Sequence, residues 1–229
     1  MPLPFTYAVA TNLYVNPHPS YPKGDPDETL LRPRHLRPCC WIALEWANAD
    51  YEVQKVDYAD PAYKKINPLG MVPALDIGGS RAMTQANAIL QYIADSHPAA
   101  RLGAADGLEA QFEFNETMAF LTGDFHPAYW PMFSPQRYTT DNSAAAHNAV
   151  REAAYARIDR VMAFLDNLIG ERGHVYRGKR SVADAYAYVM ARWSVKTPKP
   201  YSAYPHLAAF MTRMGEDEAV KRVLAASNA

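Results

Sequence analysis

Asn67–Pro98 reads NPLGMVPALDIGGSRAMTQANAILQYIADSHP, and the fold follows from how this stretch divides. Val72 to Ile77 is a short apolar run with a proline near its start. Gly78-Gly79 supplies two residues that accept φ > 0, as a two-residue hairpin turn requires. Ser80 to Met83 is therefore expected to return as a second strand. Thr84 then opens a helix whose apolar residues Ala88, Ile89, Tyr92 and Ile93 recur at i, i+1, i+4 and i+5.

The chemistry of the stretch lies at its junctions. Pro73 cannot donate to a sheet ladder, so it belongs at a strand's first residues or on an edge. A cis bond is a minority state before proline; at Val72-Pro73 it would turn the Val72 backbone outward, free to pair with an extended ligand. Thr84-Gln85-Ala86-Asn87 begins a helix, where unpaired N–H groups and the positive end of the dipole suit a carboxylate. On the residues alone, a capped hairpin and helix with no ligand explains the stretch equally well.

The run NPLGMVPAL followed by TQANAILQYIAD resembles the glutathione-site half of the cytosolic glutathione transferases, and most closely the bacterial beta class. That family's pattern is N-P-x-G-x-V-P-x-L, then an acidic or Gln residue and a Ser before A-I-x-x-Y. The likeness runs from about Cys40 to the C-terminus, with an insert ahead of it. It implies an α/β thioredoxin-like half at 1–96 (insert about 12–34), a linker at 97–105 and an all-helical half at 106–229. It implies glutathione as cosubstrate, no metal, and a homodimer. The expected activity is conjugation of glutathione to small hydrophobic electrophiles, as in detoxification, or thiol exchange. The rival expectations are a binding or scaffold protein that has lost turnover, and a specialised glutathione-dependent isomerase, dehalogenase or reductase.

Composition sets wider bounds. With 229 residues and 49% hydrophobic content the chain suits one large domain or two small ones with a sizeable core. A formal net charge of −1 argues against nucleic acid as a main partner. MPLPFTYAVATNLYVNPHPS has no basic n-region and no long apolar run, so neither a signal peptide nor a membrane span is expected. Cys39 and Cys40 are adjacent, which leaves no ordinary disulfide framework and fits a reducing cytoplasm.

In chain order, Pro4 to Ala10 reads as a strand. Eight of the 18 prolines fall in the first 38 residues, and NPHPSYPKGDPDE excludes a helix or central strand, so Asn12 to about Arg34 reads as a long loop. Such a loop is either functional or a tolerated surface insertion. Pro38 suits the first turn of a helix containing CCWIALEWANA, with Ile42, Ala43 and Trp46 on one face. Tyr51 to Val56 reads as a strand and Asp57 to Ile66 as an irregular or short helical link. The alternation fits a small α/β unit. After a Pro- and Gly-containing linker the pattern is helical: Asp106 to about Tyr129, breaking near Pro127, then Asn142 to Ile169, ended by Gly170 and Gly173. Ser181-Val182-Ala183-Asp184 is a capping box opening a helix to about Trp193. Shorter helices follow at about Leu207 to Met214 and Asp217 to Ala226.

In the resembled family a Tyr, Ser or Cys between the first strand and first helix activates the thiol. Here that position falls near Leu36 or Arg37, neither of which has that chemistry. Cys39 and Cys40 stand in the first helical turn, where a thiolate is stabilised, or they only pack, since Cys is among the most buried residue types. Arg37, with Arg32, Arg34 and His35, supplies positive charge beside the site or forms a solvated run. Tyr14 or Ser20 would reach the site only if the insert folds back. Gln85 and Ala86 match the family's acid-or-Gln and Ser; with Val72 and Pro73 they are the candidate glutathione-binding residues. Ala86 lacks the hydroxyl, and one lost hydrogen bond to a charged group is worth about 1.5–3 kcal/mol. His126, in FHPAYWPMF, resembles a beta-class His that faces the cleft, with Tyr129, Trp130, Met132 and Phe133 as pocket or core. Pro127 stands where that class often has Lys.

Overall fold

β1 (Tyr7–Ala10), β2 (Tyr51–Gln54), β3 (Ala74–Asp76) and β4 (Met83–Thr84) make one sheet in the order β2-β1-β3-β4. The structure, a computed structural model, describes residues 7–10, 37–54, 56–57, 60–78 and 80–227. The proline-rich segment expected as a loop, Leu36, and the Tyr14, Ser20, Arg32, Arg34 and His35 candidates lie outside the described residues, as does the side chain of Arg37.

β1 pairs parallel with β2, Tyr7 opposite Tyr51, and antiparallel with β3, Ala8 opposite Asp76. A parallel pair needs a crossover, and α1 (Arg37–Ala47) lies within it. Asp60 caps α2 (Pro61–Ile66) by accepting from Ala62 N–H at 2.7 Å. β4 is only two residues long and Met83 pairs with Leu75, so the return strand starts at Met83 and not at Ser80, and the link is longer than the expected two-residue turn. The helix that follows, α3 (Ala86–Ser96), opens at Ala86, not Thr84, and buries Ile89, Leu90, Ile93 and Ala94. Ala88 is exposed, so the buried face is rotated by one position from the expected one. Residues three and four apart share a helix face, and those four form such a stripe.

The helical half contains α4 (Leu108–Phe120), the short α5 (His126–Ala128) and α6 (Trp130–Phe133), the 26-residue α7 (Ala144–Ile169), α8 (Val182–Ala191), α9 (Pro205–Glu216) and α10 (Glu218–Ser227). The expected single helix from Asp106 to Tyr129 is interrupted by a π turn at Leu121–Phe125. Pro127 explains it. Its missing N–H and its ring forbid the normal bond to the carbonyl four residues earlier. The ladder widens, and His126 N–H donates to Leu121 C=O, five residues back.

α8 is the axis of the molecule. All ten residues of VADAYAYVMA are buried, and a helix apolar all round must be covered on every side. α1 packs closely on it, with α3, α9 and the π turn also in contact. One continuous apolar cluster runs from Cys39, Cys40 and Ile42 through Ile89 and Leu90 to Tyr186, Met162 and Phe210, so the sheet half and the helical half share a core. The expected capping box forms: Ser181 N–H donates to Asp184 Oδ2 at 2.7 Å, and Asp184 Oδ1 also accepts from Val175 N–H at 2.9 Å. Among the described residues no helix is long and apolar enough to cross a membrane.

Candidate functional site

The loop before β3 is held by two side chains that sequence reasoning gave no role. The Asn67 amide donates to the Met71 carbonyl at 2.6 Å, and the Tyr63 hydroxyl donates to the same oxygen at 2.5 Å. Asn67 is 3% exposed, and its Oδ1 accepts from Leu69 N–H at 3.2 Å. Gly70 sits inside this turn at φ 61°, which only glycine adopts without strain. The signal was present in the sequence: an Asn three residues before a Gly is a turn former that bonds its own backbone. The result fixes Met71-Val72 just ahead of the ladder, which begins at Ala74. Val72-Pro73 is cis, Val72 is half-buried and Pro73 is buried.

Across the sheet end stands the start of α3. Gln85 is its N-cap, at φ 73° and ψ 108°, with no side-chain capping bond. A non-glycine residue at positive φ costs about 1–3 kcal/mol and persists only where its surroundings impose it. Gln85 is exposed and Ala86 is 7% exposed. The first N–H groups of α3 are therefore left without a side-chain cap, the condition under which a helix N-terminus takes an anion.

The first turn of α1 meets this place from the core side. Cys39 and Cys40 are both fully buried, their sulfurs 4.0 Å apart, and the Cys40 thiol points at Ala86 C=O at 4.0 Å. Burial pushes the Cys40 thiol up, and the neighbouring Cys39 adds to the rise. For Cys40 the apolar enclosure disfavours the charged form, and both side chains are closed off from solvent. Of Arg37 the structure gives only the backbone, as the first residue of α1.

Tyr186 of α8, 1% exposed, belongs to the same core cluster as Cys39 and Cys40, and its hydroxyl lies 3.3 Å from His126 Nδ1. Its ring meets Trp130 and Trp193 at centroid distances of 5.4 and 5.5 Å. Burial alone pushes its imidazole from the ordinary 6.5 down to about 4, so it is neutral at pH 7. Of the expected pocket residues, Tyr129 and Met132 are core, Phe133 stacks on Tyr129, and Trp130 is 46% exposed. Among the described residues no group of His, Cys, Asp and Glu is placed to hold a metal ion.

The structure therefore brings Val72, Pro73, Gln85 and Ala86 to one sheet end and sets His126 beyond the α1–α8 contact. A thioredoxin-like sheet unit fused to an all-helical half through a shared core, with an uncapped helix start beside a cis-proline turn, is the architecture of glutathione transferases. The chain belongs to the glutathione S-transferase family. Residues 39–96 match the glutathione S-transferase N-terminal domain family, and residues 124–227 match the corresponding C-terminal domain family. Glutathione S-transferase GST-4.5 of Xanthomonas campestris pv. campestris is 34% identical over 190 residues, covering 81% of this chain and 91% of that protein. A solved glutathione S-transferase from Xylella fastidiosa superposes with a TM-score of 0.80 at 29% identity, covering 97% of this chain and 98% of that one. A sphingomonad glutathione S-transferase complexed with glutathione superposes with a TM-score of 0.74 at 32% identity, covering 86% and 96%.

Proposed function

We propose that this protein binds glutathione at Val72, Pro73, Gln85 and Ala86 and transfers it to small hydrophobic electrophiles, or exchanges it between thiols. The observation that carries the reading is the uncapped start of α3, with Gln85 at φ 73° and no side-chain cap. That strained junction leaves backbone N–H groups for the γ-glutamyl carboxylate, and the Gln85 side chain for its ammonium and carboxylate. Val72, outside the ladder, is free to pair with the extended cysteinyl backbone of the tripeptide. The thiol then lies toward the first turn of α1, where the helix start adds positive potential. His126, neutral in its aromatic surroundings, faces the electrophile as a hydrogen-bond donor. Cys39 and Cys40 are packing residues in this reading, and Arg37 at the head of α1 is left as the charged candidate.

A binding protein without turnover is favoured by one observation, the missing hydroxyl at Ala86. The two readings separate by calorimetric titration with reduced glutathione followed by turnover of an aryl halide. The expected result is a Kd in the range of about 10 μM to 1 mM with measurable conjugation. Binding without conjugation would leave the scaffold reading, and no heat at all would sink both.

The same reading includes a homodimer and a division at residues 96 and 106. Leu108 and Phe112 on α4 stand 84% and 64% exposed, one turn apart, which supports a covered face. Light scattering that returns the 25.5 kDa mass of one chain would remove the dimer.

A further inference from the structure

We propose that Tyr186 is a positioning residue that fixes His126 in the tautomer carrying its proton on Nε2, so that an N–H donor faces the ligand cleft. The inference rests on the reading of His126 as a group of that cleft.

A phenol has one O–H and must place it somewhere when it is buried. Tyr186 is 1% exposed, and among the described residues its hydroxyl meets a single partner, His126 Nδ1 at 3.3 Å. Were Nδ1 the protonated nitrogen, it would donate to the phenol oxygen, and the buried O–H of Tyr186 would have no acceptor. An unmade bond from a buried donor is the costlier alternative. The arrangement in which Tyr186 O–H donates to Nδ1 satisfies both groups and places the imidazole proton on Nε2.

The ionisation of both groups agrees. Burial, reinforced by Cys39 and Cys40, pushes the Tyr186 phenol up, so its proton stays. The imidazole is neutral at pH 7, and a neutral ring has a tautomer to choose. The Trp130 and Trp193 rings that meet it carry no competing acceptor, and among the described residues Nδ1 makes no other hydrogen bond. Among the described residues Nε2 has no hydrogen-bond partner. Its proton is thus free to bond a ligand.

The backbone enforces the same aim. The π turn forced by Pro127 makes His126 N–H bond to Leu121, which rotates the residue relative to a regular helix. Tyr186 comes from the middle of α8, buried on every side, so the phenol is a rigid reference for the ring. A neutral N–H donor set this way bonds the sulfur of a bound thiolate or the anion leaving an electrophile. It does so without bringing a second charge into an aromatic enclosure.

The test is the tautomer of His126, read from its ring-nitrogen chemical shifts in the protein labelled with 15N-histidine, together with kinetics of Tyr186→Phe. The wild-type protein is expected to show one tautomer, Nε2–H, with Nδ1 as the acceptor. Tyr186→Phe keeps the ring that fills the core and removes only the oxygen; it is expected to mix the tautomers. It should also lower kcat by about three- to tenfold, the size of one hydrogen bond, with KM for glutathione unchanged. A wild-type spectrum with the proton on Nδ1, or with both forms, overturns the proposal and requires no variant to fold. A Tyr186→Phe protein with mixed tautomers and an unchanged kcat overturns the positioning role as well. Failure of the functional reading looks different: His126→Gln would leave turnover intact, or glutathione would not bind, while the wild-type spectrum still decides the tautomer.

Discussion

The helix starts at Ala86 and Val182 face the same problem and resolve it in opposite ways. Each presents N–H groups with no partner inside the helix. At α8, Ser181 and Asp184 close the problem internally: Asp184, fully buried, accepts from Ser181 N–H and Val175 N–H, and Val182 N–H donates to Leu102 C=O at 2.9 Å. At α3 no side chain caps the start, and the residue that could do so, Gln85, is held at φ 73° with its side chain exposed. The difference separates a helix end closed within the core from an open one, where we propose the ligand sits. Both readings rest on one rule, that an exposed or buried backbone donor must find an acceptor.

The largest effect should come from the closed end. Asp184→Ala leaves two buried N–H groups without acceptors and is expected to cost about 3 kcal/mol or more, read as a lower urea midpoint at unchanged slope. The protein that remains folded should bind glutathione as before. A loss of affinity without a loss of stability would break the contrast between the two ends.

Acid sharpens the contrast from another side. Asp184 is buried among N–H donors, whereas His126 is buried among rings with one phenol. Its pKa is held at about 4 in the fold and returns to the ordinary 6.5 on unfolding. Between those values the unfolded chain binds more protons than the folded one, so stability falls as pH drops through this window. Once both forms are protonated the loss reaches about 3 kcal/mol. His126→Gln should remove that part of the pH slope in urea titrations. An unaltered slope would mean the ring is not enclosed as described.

Much of this was legible from residues alone. The stretch from Asn67 to Pro98 announced strand, turn and helix through local chemistry, and the capping box at Ser181 did the same, because caps and turns depend on neighbours in sequence. What was not legible depended on partners far along the chain. Cys39 and Cys40 stand in a first helical turn, yet whether a thiol there meets solvent or core depends on which face of α1 meets α8, a contact separated by well over a hundred residues. The Tyr186–His126 pair spans 60 residues for the same reason. The buried stripe of α3 differs by one position from the expected one because Ala88 is apolar without being inward, while Tyr92 packs against the core only in part. The π turn was legible in part: Pro127 signalled a break, but a break and a widened turn look alike in sequence.

At the open end, Ala86→Ser restores a hydroxyl beside the proposed carboxylate. The gain is expected to be about 1.5–3 kcal/mol in glutathione affinity, a decade or more in Kd by calorimetry, with stability almost unmoved. No change in Kd would show that the carboxylate does not sit at the start of α3.

The smallest effect is the most discriminating, because it divides Gln85 into its backbone and its side chain. At φ 73° the side chain's own Cβ is the source of strain, and glycine removes it. Glycine also loses more freedom on folding, which offsets part of the gain, so Gln85→Gly should be more stable by about 0.5–1 kcal/mol. It should nonetheless bind glutathione more weakly, because the amide proposed to meet the γ-glutamyl group is gone. Gln85→Ala keeps the strain and loses the amide, so it should bind as weakly as the glycine variant with no gain in stability. Thermal unfolding and calorimetry on the pair therefore measure two separate quantities at one position. Were Gln85→Gly less stable than the parent, the strain would be absent and the helix start would be held by a contact of the glutamine itself. The α3 end would then be closed in the same sense as the α8 end, and the case for a ligand there would lose its physical basis.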